Sequence, residues 1–120
     1  VVPYTHALSV LRSCGQKSIP TAVVISAGFR KAGKEDLERE PELIQLAHEL
    51  NIWVIGPNCL GVIDTFTPLN TTFAAGSPPS GPMAFTSQSG ALGIAILDWA
   101  QAGRLGLSKP WLDLVALLTL

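Results

Sequence analysis

Charge is what this 120-residue chain has least of. Asp, Glu, Lys and Arg make up 14% of it, and eight basic residues against nine acidic ones leave a formal net charge of −1. The eight Lys and Arg form no stripe, so the electrostatic footprint of a nucleic-acid binder is missing. Cysteine is scarce as well. Cys14 and Cys59 stand far apart, with no CxxC pair and no Cys/His ligand spacing, which excludes a disulfide framework or a zinc site. A reduced, cytoplasmic setting is the expectation. No apolar run approaches the ~20 residues of a membrane helix, and no stretch reads as a signal peptide. There is no P-loop, no GxGxxG and no cluster of metal ligands, so no metal is expected in this chain.

What the chain does have is apolar content: 48% hydrophobic residues and a mean hydropathy of +0.37. That is too apolar for a disordered segment, and it suits an α/β architecture whose strands are covered on both faces. Val1-Val2-Pro3 reads as a strand end. Thr5 is placed to cap a helix that runs to about Ser13 and stops at Gly15. Thr21 to Ser26, β-branched and bounded by Pro20 and Gly28, is the clearest strand. Lys31 to Glu40 is charged, a solvated approach to the next helix. Pro41 suits the first turn of that helix, whose Leu43, Leu46, Ala47 and Leu50 recur at three- and four-residue spacing. Ile52 to Ile55 follows as a buried strand. Alternation of strand and helix predicts a parallel sheet.

Beyond it, Val62-Ile63-Asp64 extends or flanks the sheet, and Thr65 to Ala75 reads as irregular. Gly76-Ser77-Pro78-Pro79-Ser80-Gly81-Pro82 is the strongest boundary signal, three prolines and two glycines in seven residues. A new unit then starts with strand Met83 to Thr86 and a helix from about Gly90 to Ala102, ended by Gly103. Ala91, Leu92, Ile94, Ala95, Ile96, Leu97 and Trp99 make that helix apolar nearly all round, which implies burial in a larger assembly.

Three loops carry the functional signal. Gly56-Pro57-Asn58-Cys59-Leu60-Gly61 puts bare backbone at a strand end, where ligands bind in open α/β sheets. Ser26-Ala27-Gly28-Phe29 is a small-residue exit from the earlier strand. Ser87-Gln88-Ser89-Gly90 opens a helix whose free N–H groups suit a phosphate or carboxylate. The plain alternatives are a β-turn for the first loop and an ordinary capped helix for the last. Cys59 is by default a small buried hydrophobe, and both His6 and His48 fall on predicted helices away from it, which argues against a nucleophilic cysteine. Arg30, directly after its strand-end loop, is in reach of a phosphate.

Taken in order, Ala22 to Arg30, Val54 to Ile63, Pro68 to Phe73 and Ala84 to Gly93, followed by Ala95 to Ala100, resemble the NDP-forming acyl-CoA synthetases. This superfamily includes the succinyl-CoA synthetase α subunit. It also includes protein acetyltransferases that carry a synthetase-like region beside a GNAT domain. The resemblance covers roughly residues 1 to 109. It implies that residues 1–75 are the later part of a Rossmann-like CoA-binding domain, 76–82 a linker, and 83–120 the start of a flavodoxin-like domain. By the same resemblance Ser26, Ala27, Gly28, Gly56, Pro57, Asn58 and Cys59 would line a coenzyme A site near its pantetheine end. Ser87, Gln88, Ser89 and Gly90 would face the phosphate of a phosphohistidine.

The family's phosphorylated histidine has no counterpart in His6 or His48, so no catalytic residue is assigned. ATP or ADP, Mg and an ATP-grasp domain or subunit belong to parts of the family protein that this sequence does not match. CoA or acyl-CoA is the expected partner, with neither nucleic acid nor membrane. The implied activity is acid–thiol ligation, with this chain not active alone. The alternatives are a synthetase-like region of a GNAT-type lysine acetyltransferase or acyl-CoA sensor, and an inert gene fragment. Pro110 to Leu118 departs from the family pattern, and the sequence opens at Val1 without the family's phosphate-binding loop. Truncation or frame disruption is the expectation that accounts for both.

Overall fold

A computed structural model describes residues 1–29 and 39–112. Arg30, the charged stretch Lys31, Lys34, Glu35, Asp36 and Glu38, and the tail from Asp113 onward lie outside the described residues. By packing, the chain divides into a unit of Val1–Cys59 and a second unit that starts at Leu60.

In the first unit, strands β1 (Thr21–Val23) and β2 (Trp53–Ile55) pair in parallel, with Thr21 opposite Trp53 and Val23 opposite Ile55. A parallel pair needs a crossover, and helix α2 (Arg39–Glu49) lies on the chain between them. Leu43, Leu46 and Ala47 are buried, as their spacing predicts, and Pro41 sits in the first turn. Glu40 and Glu42 place negative charge at the positive end of the helix. Helix α1 (Ala7–Gln16) follows a 3-10 turn at Tyr4–His6. Thr5, expected as the cap, lies inside that turn, and His6 occupies the cap position without a side-chain bond. Gly15, expected to end the helix, lies within it. A Cβ there would stand 2.7 Å from Leu50 Cδ2, so the missing side chain lets Leu50 pack against α1. Ala7, Leu11, Phe29, Leu43, Leu46, Ala47 and Ile52 form the core of this unit. Val1–Pro3 forms no strand.

The second unit holds a four-stranded sheet in the order β4-β3-β6-β5. Its strands are β3 (Gly61–Asp64), β4 (Leu69–Asn70), β5 (Ser80–Ser87) and β6 (Leu107–Leu112). β5 and β6 run parallel, with helix α3 (Gly90–Ala102) between them in the chain. β3 is antiparallel to both β4 and β6, so this sheet is mixed. β5 begins inside the Pro/Gly stretch read as a linker. A Cβ on Gly81 would run into the backbone of Gly106, so that glycine permits a close approach of two backbone segments. Leu60, Ile63, Leu97, Ala100 and Leu107 form the core here. Among the described residues no helix is long and apolar enough to cross a membrane.

Candidate functional site

Because β1 and β2 are parallel neighbours, their exit loops leave from the same edge of the sheet. That edge is where open α/β folds place their ligands. The two loops are laced together. Val24 N–H donates to Ile55 O at 2.8 Å, and Asn58 N–H donates to Ser26 O at 3.1 Å. The Cys59 thiol lies 3.5 Å from Val24 O and 3.7 Å from Ile55 O, donating across the gap between the strands. Ser26 Oγ in turn donates to Val2 O at 2.5 Å. The structure therefore brings Ser26, Ala27 and Gly28 together with Gly56, Pro57, Asn58 and Cys59.

Backbone geometry dictates the residue types. Gly56 has φ +104°, and a Cβ there would collide with Val24 O. Gly28 has φ +114°, and a Cβ would stand 2.9 Å from the Tyr4 ring. Both positions exclude side chains twice over, by conformation and by space. Asn58 takes φ +59°, a left-handed conformation that asparagine tolerates better than most residues. The Gly56–Pro57 peptide is cis.

Gly56, Pro57 and Cys59 are buried, Ser26 and Gly28 half-buried, and Ala27 and Asn58 exposed. What faces outward is backbone and one carboxamide, with no charged side chain among the seven. Such a wall can hydrogen-bond and pack against a neutral ligand, but it supplies no acid or base. His6 closes the 3-10 turn and His48 lies exposed in the last turn of α2, so the structure places neither in these loops.

Sequence reasoning missed Tyr4. Its ring meets Phe29 edge-on, with centroids 6.0 Å apart and planes at 64°, while the Arg39 guanidinium stacks 5.5 Å from the ring centroid. Phe29 is only 3% exposed and anchors the far end of the Ser26-Ala27-Gly28 loop in the core. Tyr4 and Gly28 are 24 positions apart, too far for helical or strand periodicity to connect them.

In the second unit, Ser89 is the N-cap of α3, in an extended conformation, and its hydroxyl accepts the Leu92 N–H at 3.3 Å. Ser87 Oγ accepts from Ser89 N–H at 3.0 Å and lies 3.1 Å from Ser89 O. Ser87 and Gly90 are half-buried while Gln88 and Ser89 are exposed. The turn is thus a tightly capped helix start, open to solvent.

The chain is 43% identical over 109 residues, 91% of its length, to the ADP-forming acetate–CoA ligase I of Archaeoglobus fulgidus. It is 45% identical over 109 residues to the ADP-forming acetate–CoA ligase of Methanocaldococcus jannaschii. Over that span the chain belongs to the NDP-forming acyl-CoA synthetase family. A third member, the α subunit of the Pyrococcus furiosus ADP-forming acetate–CoA ligase I, is 41% identical over 108 residues. The chain spans 16%, 15% and 23% of the lengths of these three synthetase relatives.

Solved structures agree with the family. A protein from Pyrococcus horikoshii OT3 superposes with a TM-score of 0.87 at 39% identity, over 94% of this chain and 26% of its own. The dinucleotide-forming acetyl-coenzyme A synthetase 1 of Ca. Korarchaeum cryptofilum, in complex with phosphate and ADP, gives 0.83 at 40% identity. That match covers 92% of this chain and 23% of the synthetase. No family model matches the chain.

Proposed function

We propose that this chain supplies coenzyme A-binding structure to an NDP-forming acyl-CoA synthetase, an acid–thiol ligase that works through acyl phosphate and phosphohistidine. The observation that carries the reading is the pair of laced loops at the carboxyl edge of β1 and β2. Ser26, Ala27, Gly28, Gly56, Pro57, Asn58 and Cys59 would form a neutral wall for the pantetheine arm, with Asn58 and Ala27 outermost and the Cys59 side chain buried behind them. A wall without acid, base or charge fits a thiol-bearing substrate that must be positioned and not activated. The Ser87-Gln88-Ser89-Gly90 helix start would hold an anion such as the phosphate of the phosphohistidine.

The family limits are part of this reading: residues 1–75 from the coenzyme-binding domain, 76–82 connecting, and 83–120 opening a flavodoxin-like domain. Packing groups Leu60 to Ala75 with the later strands. Phosphoryl transfer, nucleotide and Mg would be handled by an ATP-grasp domain or subunit, which corresponds to none of the residues here. Among the described residues no group of three His, Cys, Asp or Glu is placed to hold a metal ion. A cytoplasmic setting completes the proposal. The relatives named above are ligases, which favours this reading over an acetyltransferase region.

Thermal denaturation of the full chain with and without coenzyme A tests the reading. Ligand at about 100 times its dissociation constant adds about 2.7 kcal/mol to stability. A melting temperature unmoved by millimolar coenzyme A would sink the proposal.

A further inference from the structure

Resting on that reading, we infer that Tyr4 and Cys59 are positioning residues that fix the Ser26-Ala27-Gly28 loop from its two ends, and that the Cys59 side chain does not itself touch the ligand. At the entry of the loop, the Cys59 thiol lies within donating distance of Val24 O and Ile55 O, joining the ends of the two strands. The residue is only 3% exposed, so its sulphur is committed to the interior. A Cβ on Gly56 would meet that sulphur at 3.1 Å, which shows how little space surrounds it. At the exit of the loop, the Tyr4 ring covers Gly28 and packs edge-on against Phe29. Arg39 stacks on the same ring and ties the brace to the start of α2. Between these two anchors, Ser26 O receives the Asn58 N–H, so the loop that carries Asn58 takes its place from the loop that Tyr4 and Cys59 hold.

A loop set in advance binds its ligand without the entropic cost of ordering it afterwards. Removing either brace should therefore weaken coenzyme binding even though every group that meets the ligand is still in the chain. In a direct-contact role for Cys59, affinity would change while the loop stayed ordered.

The experiment combines isothermal titration of coenzyme A into the full chain with amide hydrogen exchange at Asn58. The exchange of Leu50, whose N–H donates to Leu46 O inside the same unit, serves as internal reference. Cys59→Ala is expected to weaken binding about tenfold and to speed Asn58 exchange about tenfold, a loss of about 1.4 kcal/mol in each. Cys59→Ser, which keeps a donor, should recover part of both. Tyr4→Ala should act in the same direction from the other end, with Tyr4→Phe, which keeps the ring, close to wild type. Tyr4 is only half-buried, so its variants remain informative where Cys59→Ala fails to fold.

Weaker binding with unchanged Asn58 exchange would overturn the inference and make Cys59 a group that meets the ligand directly. Faster exchange with unchanged binding would overturn it as well. Failure of the wild-type chain to bind coenzyme A would instead overturn the coenzyme reading, and the exchange pattern would still decide whether the braces exist.

Discussion

The two strand-end turns of this protein are built on opposite principles. The Gly56-Pro57-Asn58-Cys59 turn is held by residues far away in sequence: Val24 and Ser26 from the exit of β1 hold it directly, and Tyr4 braces that exit from beside α1. The Ser87-Gln88-Ser89-Gly90 turn is held by its own neighbours, Ser87 to Ser89 and Ser89 to Leu92. The first is mostly buried and admits no side chain at Gly56. The second is half in solvent and depends on two hydroxyls. A turn of the first kind is rigid only while its neighbours are in place, whereas a turn of the second kind forms wherever its helix forms.

Substitutions can break this contrast, and the largest effect belongs to the first turn. Gly56→Ala is expected to destabilise by roughly 2–4 kcal/mol, because it combines left-handed backbone strain with a collision at Val24 O. Urea unfolding of the full chain measures this. A loss below about 0.5 kcal/mol, the size of an ordinary surface substitution, would show that the turn is no more constrained than the second.

Next comes Asn58→Ala, with an expected cost of about 1–2 kcal/mol from forcing a β-carbon without a compensating amide into the left-handed region. Asn58→Gly should be stable by comparison, and the pair of unfolding midpoints separates backbone strain from loss of the carboxamide. If both variants are equally destabilised, the amide and not the backbone sets the cost.

Ser89→Ala should cost about 1 kcal/mol through the lost cap, with the effect concentrated in amide exchange of the first turn of α3. Ser89→Asp should restore it, since an aspartate caps as well as a serine. Smallest is Ser87→Ala, about 0.5 kcal/mol, because its hydroxyl is partly solvated and water replaces the bond. Should Ser87→Ala prove as costly as Gly56→Ala, the distinction between a locally held and a remotely held turn fails.

The same contrast explains which parts of the molecule could be read from the sequence. Helix α3 was legible end to end, from its Ser89 cap to Gly103, since every signal lies within a few residues of the element it controls. The buried face of α2 was legible for the same reason, while the parallel pairing of β1 with β2 followed from the alternation of strand and helix along the chain. Thr5 and Gly15 misled because their local roles were overridden. A 3-10 turn absorbed the first, and the second was needed for packing against Leu50. The antiparallel pairing of β3 with β6 joins residues about 50 positions apart, beyond any periodicity. Gly81 looked like linker because close approach to Gly106 is a property of the folded sheet. In the candidate site, both loops were recognisable by residue type and family resemblance. The Cys59 and Tyr4 braces were not, because neither residue is adjacent in sequence to what it holds.

One further property follows from where the two thiols lie. Cys14 is half-buried on α1, while Cys59 is sealed beneath the turn. An alkylating reagent should therefore modify Cys14 in the native protein and reach Cys59 only when the loops separate. The rate of the second modification then rises with the population of turns that have let go of Val24. Any ligand seated on the outer face of the loops would slow it, reporting occupancy through a sulphur that the ligand never meets.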